Sequence, residues 1–138
     1  MNAPLYTTEI LRLAASLGEP RELEREDGRA ELRSPTCGSR IGMSVELDNA
    51  GRVAALSQRV HACAFGQASA ALLERGAIGR TRDDVEQALN ELGDWLGGGD
   101  PDPGWGLSAL APARSRVSRH GAILLPFRAL LAALDSAR

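Results

Sequence analysis

Two cysteines and two histidines are the residues of this chain best suited to holding a soft metal or carrying sulfur, and all four fall where one predicted element gives way to another. Cys37 lies in Ser34-Pro35-Thr36-Cys37-Gly38-Ser39-Arg40, a turn between two strands. Pro35 restricts the backbone there, and Gly38 permits unusual angles and close approach. A thiol in a loop can reach solvent and ionise, and the thiolate is its reactive form. Arg40 follows directly, either as a positive charge beside that thiol or as an ordinary surface arginine. Cys63 stands where a strand passes into a helix, at the positive end of the helix dipole, which favours negative charge. His61 precedes it by two residues, and His120 lies near the start of the last helix. The spacing is not that of a zinc finger, which uses paired close cysteines. Taken alone, a lone cysteine is more often a small buried hydrophobe than a ligand, so these residue types leave packing and chemistry both open.

The elements that must position these groups follow from periodicity. Leu5, Ile10, Leu13, Ala14 and Leu17 have a rough helical spacing, with Thr7 or Thr8 as cap and Gly18 and Pro20 as terminators. Residues 20–29 are a charged connection. Three strands are expected over 29–34, 40–47 and 52–61. In the second, Ile41, Met43, Val45 and Leu47 alternate with polar or small residues, the pattern of a half-buried strand. Asp48-Asn49-Ala50-Gly51 is a tight-turn composition, so an antiparallel meander is predicted. An alanine-rich helix over 63–75 can approach its neighbours closely. Thr81 caps another helix, with Asp83 and Asp84 in its first turn and Val85, Ala88, Leu89, Leu92, Trp95 and Leu96 on one face. Residues 97–106, GGGDPDPGWG, read as a flexible loop or lid without internal structure. A final helix over about 119–136 contains Pro126, so it either starts near that proline or bends there.

Composition narrows the function classes. The chain has 138 residues, 43% hydrophobic and 25% charged, with net charge −2. That suits one domain, 1–138, able to bury a core without disulfides. All the basic charge is arginine, scattered among carboxylates, and aromatics are only 4%. Neither a basic stripe nor a stacking surface is evident, so nucleic acid is not the expected partner. No apolar run approaches the roughly 20 residues of a membrane helix, and the N-terminal stretch lacks the pattern of a signal peptide. The expectation is a cytoplasmic protein, whose thiols stay reduced. Arg114, Arg116, Arg119 and His120 form a basic run, either a solvated face or a docking patch for an acidic partner. Trp95 is expected in the core, whereas Trp105 is either an exposed anchor or buried under the glycine-rich loop.

The two cysteine segments together, PTCGSRIGMSVELD and VHACAFGQASAAL, resemble the U-type iron–sulfur cluster scaffold family, which includes the NifU N-terminal domain, IscU and SufU. That family places one cysteine in a Cys-Gly-Asp turn between strands and a second before an alanine- and serine-rich helix, about 26 residues later. Cys37-Gly38 and Cys63 match. The segment ARSRVSRHGAILLPFRAL resembles the family's last ligand segment and helix, so the likeness covers most of the chain. It implies an α+β fold, a three-stranded antiparallel sheet packed against helices (SufE/NifU-like). It also implies acceptance of sulfur from a cysteine desulfurase, assembly of a [2Fe-2S] cluster or binding of iron or zinc, and delivery to cluster-accepting apo-proteins.

This chain departs from that pattern in two places. The aspartate two residues after the first cysteine is Ser39, and the third cysteine is missing, its place falling at Gly121 or Ala122. His120 matches the histidine before the third cysteine in the IscU branch. The implied ligand set is therefore Cys37, Cys63 and His120, with His61 as a further donor. Two thiolates and two imidazoles can make a tetrahedral zinc site or hold a cluster with two nitrogen ligands. Losing one thiolate weakens a soft-metal site. Two readings follow. One is a cluster scaffold or sulfur-accepting carrier, a relay rather than a turnover enzyme. The other is a metal-free homologue acting as an interaction or regulatory module in the same pathway. A thiol enzyme with a histidine base ranks last, since no orienting carboxylate or oxyanion hole is evident.

Overall fold

The computed structural model describes residues 6–35 and 38–137. Leu5 and Cys37, both singled out above, lie outside the described residues.

The sheet is the frame. Strands β1 (Gly28–Arg33), β2 (Arg40–Leu47) and β3 (Val53–His61) pair antiparallel in the order β1-β2-β3. Alternation in β2 turns Ile41, Met43 and Val45 inward, all nearly fully buried. The register sets Ala30 and Leu32 beside them on β1, and Leu56, Gln58 and Val60 on β3. The β2–β3 turn closes on Asp48, whose carboxylate accepts from the backbone N–H groups of Ala50 and Arg52, each at 2.9 Å. Gly51 takes the left-handed conformation that this turn requires, at φ +80°.

Helices cover the inward face. Helix α1 (Thr8–Ala15) is capped by the Thr7 hydroxyl and packs on α2 (Ala64–Gly76), with Tyr6 tilted against Phe65 at 5.0 Å. Helix α3 (Arg82–Leu96) starts with a reciprocal capping box between Thr81 and Asp84, and it buries Val85, Ala88, Leu92, Trp95 and Leu96. Helix α4 (His120–Ser136) is central and contacts α2, α3, β1 and β2. β1 approaches it so closely that a Cβ on Gly28 would stand 2.1 Å from the Ala133 carbonyl oxygen. Arg82 ties the start of α3 to the end of α4 through Asp135 at 2.7 Å.

Three expectations change. Helix α4 starts six residues before Pro126 and runs through it. Pro126 has no N–H to return to the Ala122 carbonyl, and the neighbouring Ile123 carbonyl accepts from the Ser69 hydroxyl of α2 at 2.6 Å. Next, Val117–Ser136 is a 20-residue helical stretch with mean hydropathy 1.3, long and apolar enough by composition to cross a membrane. Here its apolarity goes into the core, with Ile123, Phe127 and Leu130 fully buried. The third concerns residues 97–106, which are pinned. The Arg114 guanidinium donates to the carbonyls of Trp95 at 2.9 Å and Gly99 at 3.0 Å and lies over the Trp95 ring. Arg114 therefore belongs to the fold rather than to a free basic run. Trp105, half-buried with φ +58°, packs edge-on against Phe127 at 5.2 Å and under Arg80. Beyond the loop, a 3-10 turn over Leu107–Ala113 buries Leu107, Leu110 and Ala113. Trp95 is core, as its helical spacing predicts.

Candidate functional site

Three chain junctions meet at one end of the sheet. β1 ends at Arg33, β2 begins at Arg40 and β3 ends at His61, and these three residues form one cross-strand row. Between β1 and β2, the Ser34 N–H donates to the Ser39 carbonyl at 2.8 Å and the Gly38 N–H to the Ser34 carbonyl at 3.1 Å. Gly38 has φ +72°, a conformation that favours glycine. Ser34 and Ser39 are both buried. Ser39 is therefore part of the turn's packed base. Cys37 belongs to this turn by sequence.

From His61 the chain passes through Ala62 to Cys63, which is the N-cap of α2. Its backbone is extended, at φ −66° and ψ 174°, and its side chain makes no capping bond. The first intrahelical bond starts there, the Gln67 N–H donating to the Cys63 carbonyl at 2.9 Å, and the Gln67 side-chain amide donates to the Ala62 carbonyl at 2.9 Å. Cys63 is a free thiol, half-buried, touching the core on one side. A helix N-cap offers a sulfur little competition and leaves the first backbone N–H groups of the helix nearby.

The start of α4 reaches the same place through small residues. A Cβ on Gly66 would lie 2.6 Å from Ala62 Cβ, 3.2 Å from the Ala122 carbonyl oxygen and 3.3 Å from Ala122 Cβ. This contact sets the first turn of α4 against the first turn of α2, beside Cys63. Ala122 is buried, whereas Gly121 is half-buried. Gly121 and Ala122 thus lie on the α4 turn that faces the α2 N-terminus.

The two histidines differ. His61 is exposed at the end of β3, opposite Arg40. His120 is half-buried, and its Nε2 stands 2.9 Å from the Ala113 carbonyl oxygen and 3.1 Å from that of Arg114. Carbonyls only accept, so Nε2 carries a hydrogen and Nδ1 is left as the nitrogen able to bind a metal. Among the described residues, no group of three or more His, Cys, Asp or Glu side chains is placed to hold a metal ion. Cys37 is the one residue of those four types outside the described set, so a centre with three such ligands would include it. What the described geometry offers is a half-buried thiol at a helix N-cap, two residues beyond the His61 end of β3, the end of the sheet where β1 leaves and β2 enters.

The sequence reading did not pick out Ala62 and Gly66, nor the contact with Ala122 that sets the geometry around Cys63. It singled out Arg40 but not Arg33 and Arg59, which the sheet register gathers with it on the outer face. Strand alternation carried that signal, but only once the pairing register was known.

Solved structures with this fold cover nearly the whole chain. A NifU-like protein (N-terminal) from Brucella abortus, described as nitrogen-fixing, matches with TM-score 0.86 and 28% identity, over 96% of this chain and 94% of that one. A protein from the thermophile Fervidobacterium islandicum, assigned as an iron–sulfur cluster assembly scaffold for the SUF system, matches with TM-score 0.81 and 19% identity, over 94% and 96%. A third protein, described only as hypothetical, matches with TM-score 0.76 and 18% identity. No protein-family model and no curated protein sequence matches the chain.

Proposed function

We propose that this chain, which has the fold of the NifU N-terminal-like and SufU scaffold proteins, is a scaffold-class protein of iron–sulfur cluster assembly that takes its cargo on Cys37 and Cys63. The observation that carries this reading is Cys63 itself: a free, half-buried thiol on a helix N-cap, not engaged in capping, at the sheet end where the Cys37 turn begins and ends. A cysteine desulfurase is the sulfur donor in this reading and cluster-accepting apo-proteins are the recipients. The work takes place in the reducing cytoplasm, where both thiols remain free.

The donor set supports a reduced site. Cys37 and Cys63 supply soft ligands suited to iron, a [2Fe-2S] cargo or zinc. His120 contributes through Nδ1, its Nε2 being held by two carbonyls, as ligating histidines commonly are. His61 is the fourth donor and the most exposed. With Ser39 in place of aspartate and no third thiol, such a site binds cargo more weakly and releases it more readily than a three-cysteine site.

A second reading, a metal-free interaction or regulatory module in the same pathway, draws on the sequence: Ser39 stands where the resembling family has an aspartate, and no third cysteine is present. Metal analysis separates the two. Protein purified without chelator is expected to carry zinc, or iron with labile sulfide, at up to about one site per chain, in the manner of a small structural or scaffold site. That content should be lost in Cys63→Ala and in Cys37→Ala. Metal-free wild-type protein that still binds a cysteine desulfurase would favour the second reading.

A further inference from the structure

Apart from His61, the outer face of the sheet supplies nothing to the donor set of the candidate site, and its charge is unusual. Register lays it out in rows: Arg33–Arg40–His61 at the thiol end, then Glu31–Gly42–Arg59, then Arg29–Ser44–Ser57. The face forms a groove of about 800 Å³, bordered by Pro20–Glu22, with the Arg21 N–H donating to the Ser57 hydroxyl at 2.8 Å. Five arginines and two glutamates line it, on a chain whose net charge is −2.

Neutralisation is uneven along this groove. At the far end Arg29 pairs with Glu26 at 3.7 Å and Glu31 at 3.5 Å. At the thiol end Arg33, Arg40 and Arg59 are exposed and have no carboxylate partner among the described residues. Arg33 and Arg40 face each other directly across adjacent strands, an arrangement that destabilises a sheet when nothing offsets it. Gly42 between them and Arg59 leaves the middle of the face without a side chain, so an incoming chain can approach the backbone there.

We propose that the thiol end of this face docks an acidic segment of a partner protein, an extended stretch with several carboxylates. A lone small anion is served by buried, fixed donors, whereas these cations are exposed and spread over three strands, about 10 Å at strand spacing. Nucleic acid fits less well: the groove lining contains no Phe, Tyr or Trp for stacking, His61 being its single aromatic side chain, and the rest of the chain, net acidic, repels a long polyanion. A carboxylate-bearing segment instead forms charge-assisted, bidentate contacts with Arg33, Arg40 and Arg59. It would lie beside the 34–39 turn. This docking stands whether or not Cys63 carries cargo.

Fluorescence anisotropy with a labelled octaglutamate peptide tests it, at low salt, where surface charges are least screened. Wild type is expected to bind saturably, while a glycine–serine peptide of equal length does not bind. Arg33→Glu/Arg40→Glu should weaken binding about tenfold or more. Arg12→Glu/Arg128→Glu, an equal charge change at exposed sites outside the groove, should stay within about twofold of wild type. Arg33→Gln/Arg40→Gln removes charge without adding repulsion and guards against a misfolded reversal variant; it should still lose roughly threefold or more. Equal losses at both pairs, no binding to wild type, or a glutamine variant that binds as wild type does would each overturn the proposal. So would displacement of the peptide by inorganic phosphate, or by a short single-stranded oligonucleotide, at lower charge concentration than by unlabelled peptide.

Discussion

Cys63 combines two roles that serine would separate. As the N-cap of α2 it occupies a position where a side-chain oxygen would bond the N2 or N3 backbone N–H, and sulfur makes no such bond here. Cys63→Ser therefore has a prediction of definite sign on stability: the hydroxyl adds about 0.5–1 kcal/mol through the cap, so the melting temperature holds or rises. Binding of zinc or iron falls at the same time, because the soft ligand is gone. Thermal melting and metal analysis on one preparation read both. A large drop in melting temperature would mean that the thiol serves the core and not the solvent side. His120 is constrained differently. Its two carbonyl partners hold the ring at the start of α4, so the sequence position that resembles a ligand also acts as a tether between the 3-10 turn and the helix.

The helices succeed or fail on close contact and on caps. Gly66 lets α2 meet α4 beside Cys63. Gly66→Ala forces a methyl to 2.6 Å from Ala62 Cβ and against the Ala122 carbonyl, and should cost about 1–3 kcal/mol by overpacking. Gly93→Ala in α3, where a Cβ would meet nothing within 4 Å, should instead gain about 0.5–1 kcal/mol from helix propensity. Denaturant melts of the two variants give opposite shifts if the α2–α4 contact is as tight as described. The cap of α3 sets a pH dependence. The Asp84 carboxylate accepts the Thr81 backbone N–H, which lowers its pKa, and Asp27 is lowered chiefly by accepting the Leu47 N–H. Groups with a depressed folded pKa contribute stability above their ordinary value near 3.8, and that contribution is lost as pH falls through the lower folded value. Stability should therefore fall on acidification below about pH 5, and Asp84→Asn should flatten that fall. An unchanged acid limb in the variant would show that the cap does not contribute.

Most of this architecture is legible from periodicity and caps: Ile41, Met43 and Val45 announce β2, Thr81 announces α3, and Ile123 to Leu134 announce α4. The misreadings have physical causes. Pro126 suggested a start or a bend because a lost N–H is costly in an isolated helix; the helix starts at His120, as the 119–136 span predicts, and packing of α4 against α2, α3 and the sheet carries it through the proline. The glycine-rich 97–106 segment suggested mobility, yet Arg114, fifteen residues from Gly99, donates to the Gly99 carbonyl, and the Asp102 carboxylate accepts from the Gly104 N–H. The sequence placed Cys63 at a strand–helix junction, but its surroundings depend on Gly66 and Ala122, which are far apart in the chain and carry no chemical signature. The outer sheet face was hidden for the same reason, its arginines being dispersed until the strands pair. The molecule thus gathers a thiol, a glycine turn and an arginine row at one end of a small sheet. The most direct test of the central claim is the intact mass of the chain after incubation with a cysteine desulfurase and cysteine. The account predicts a gain of sulfur on the wild-type chain that is absent from the Cys37→Ser/Cys63→Ser variant; no gain on wild type, or the same gain on the variant, would contradict it.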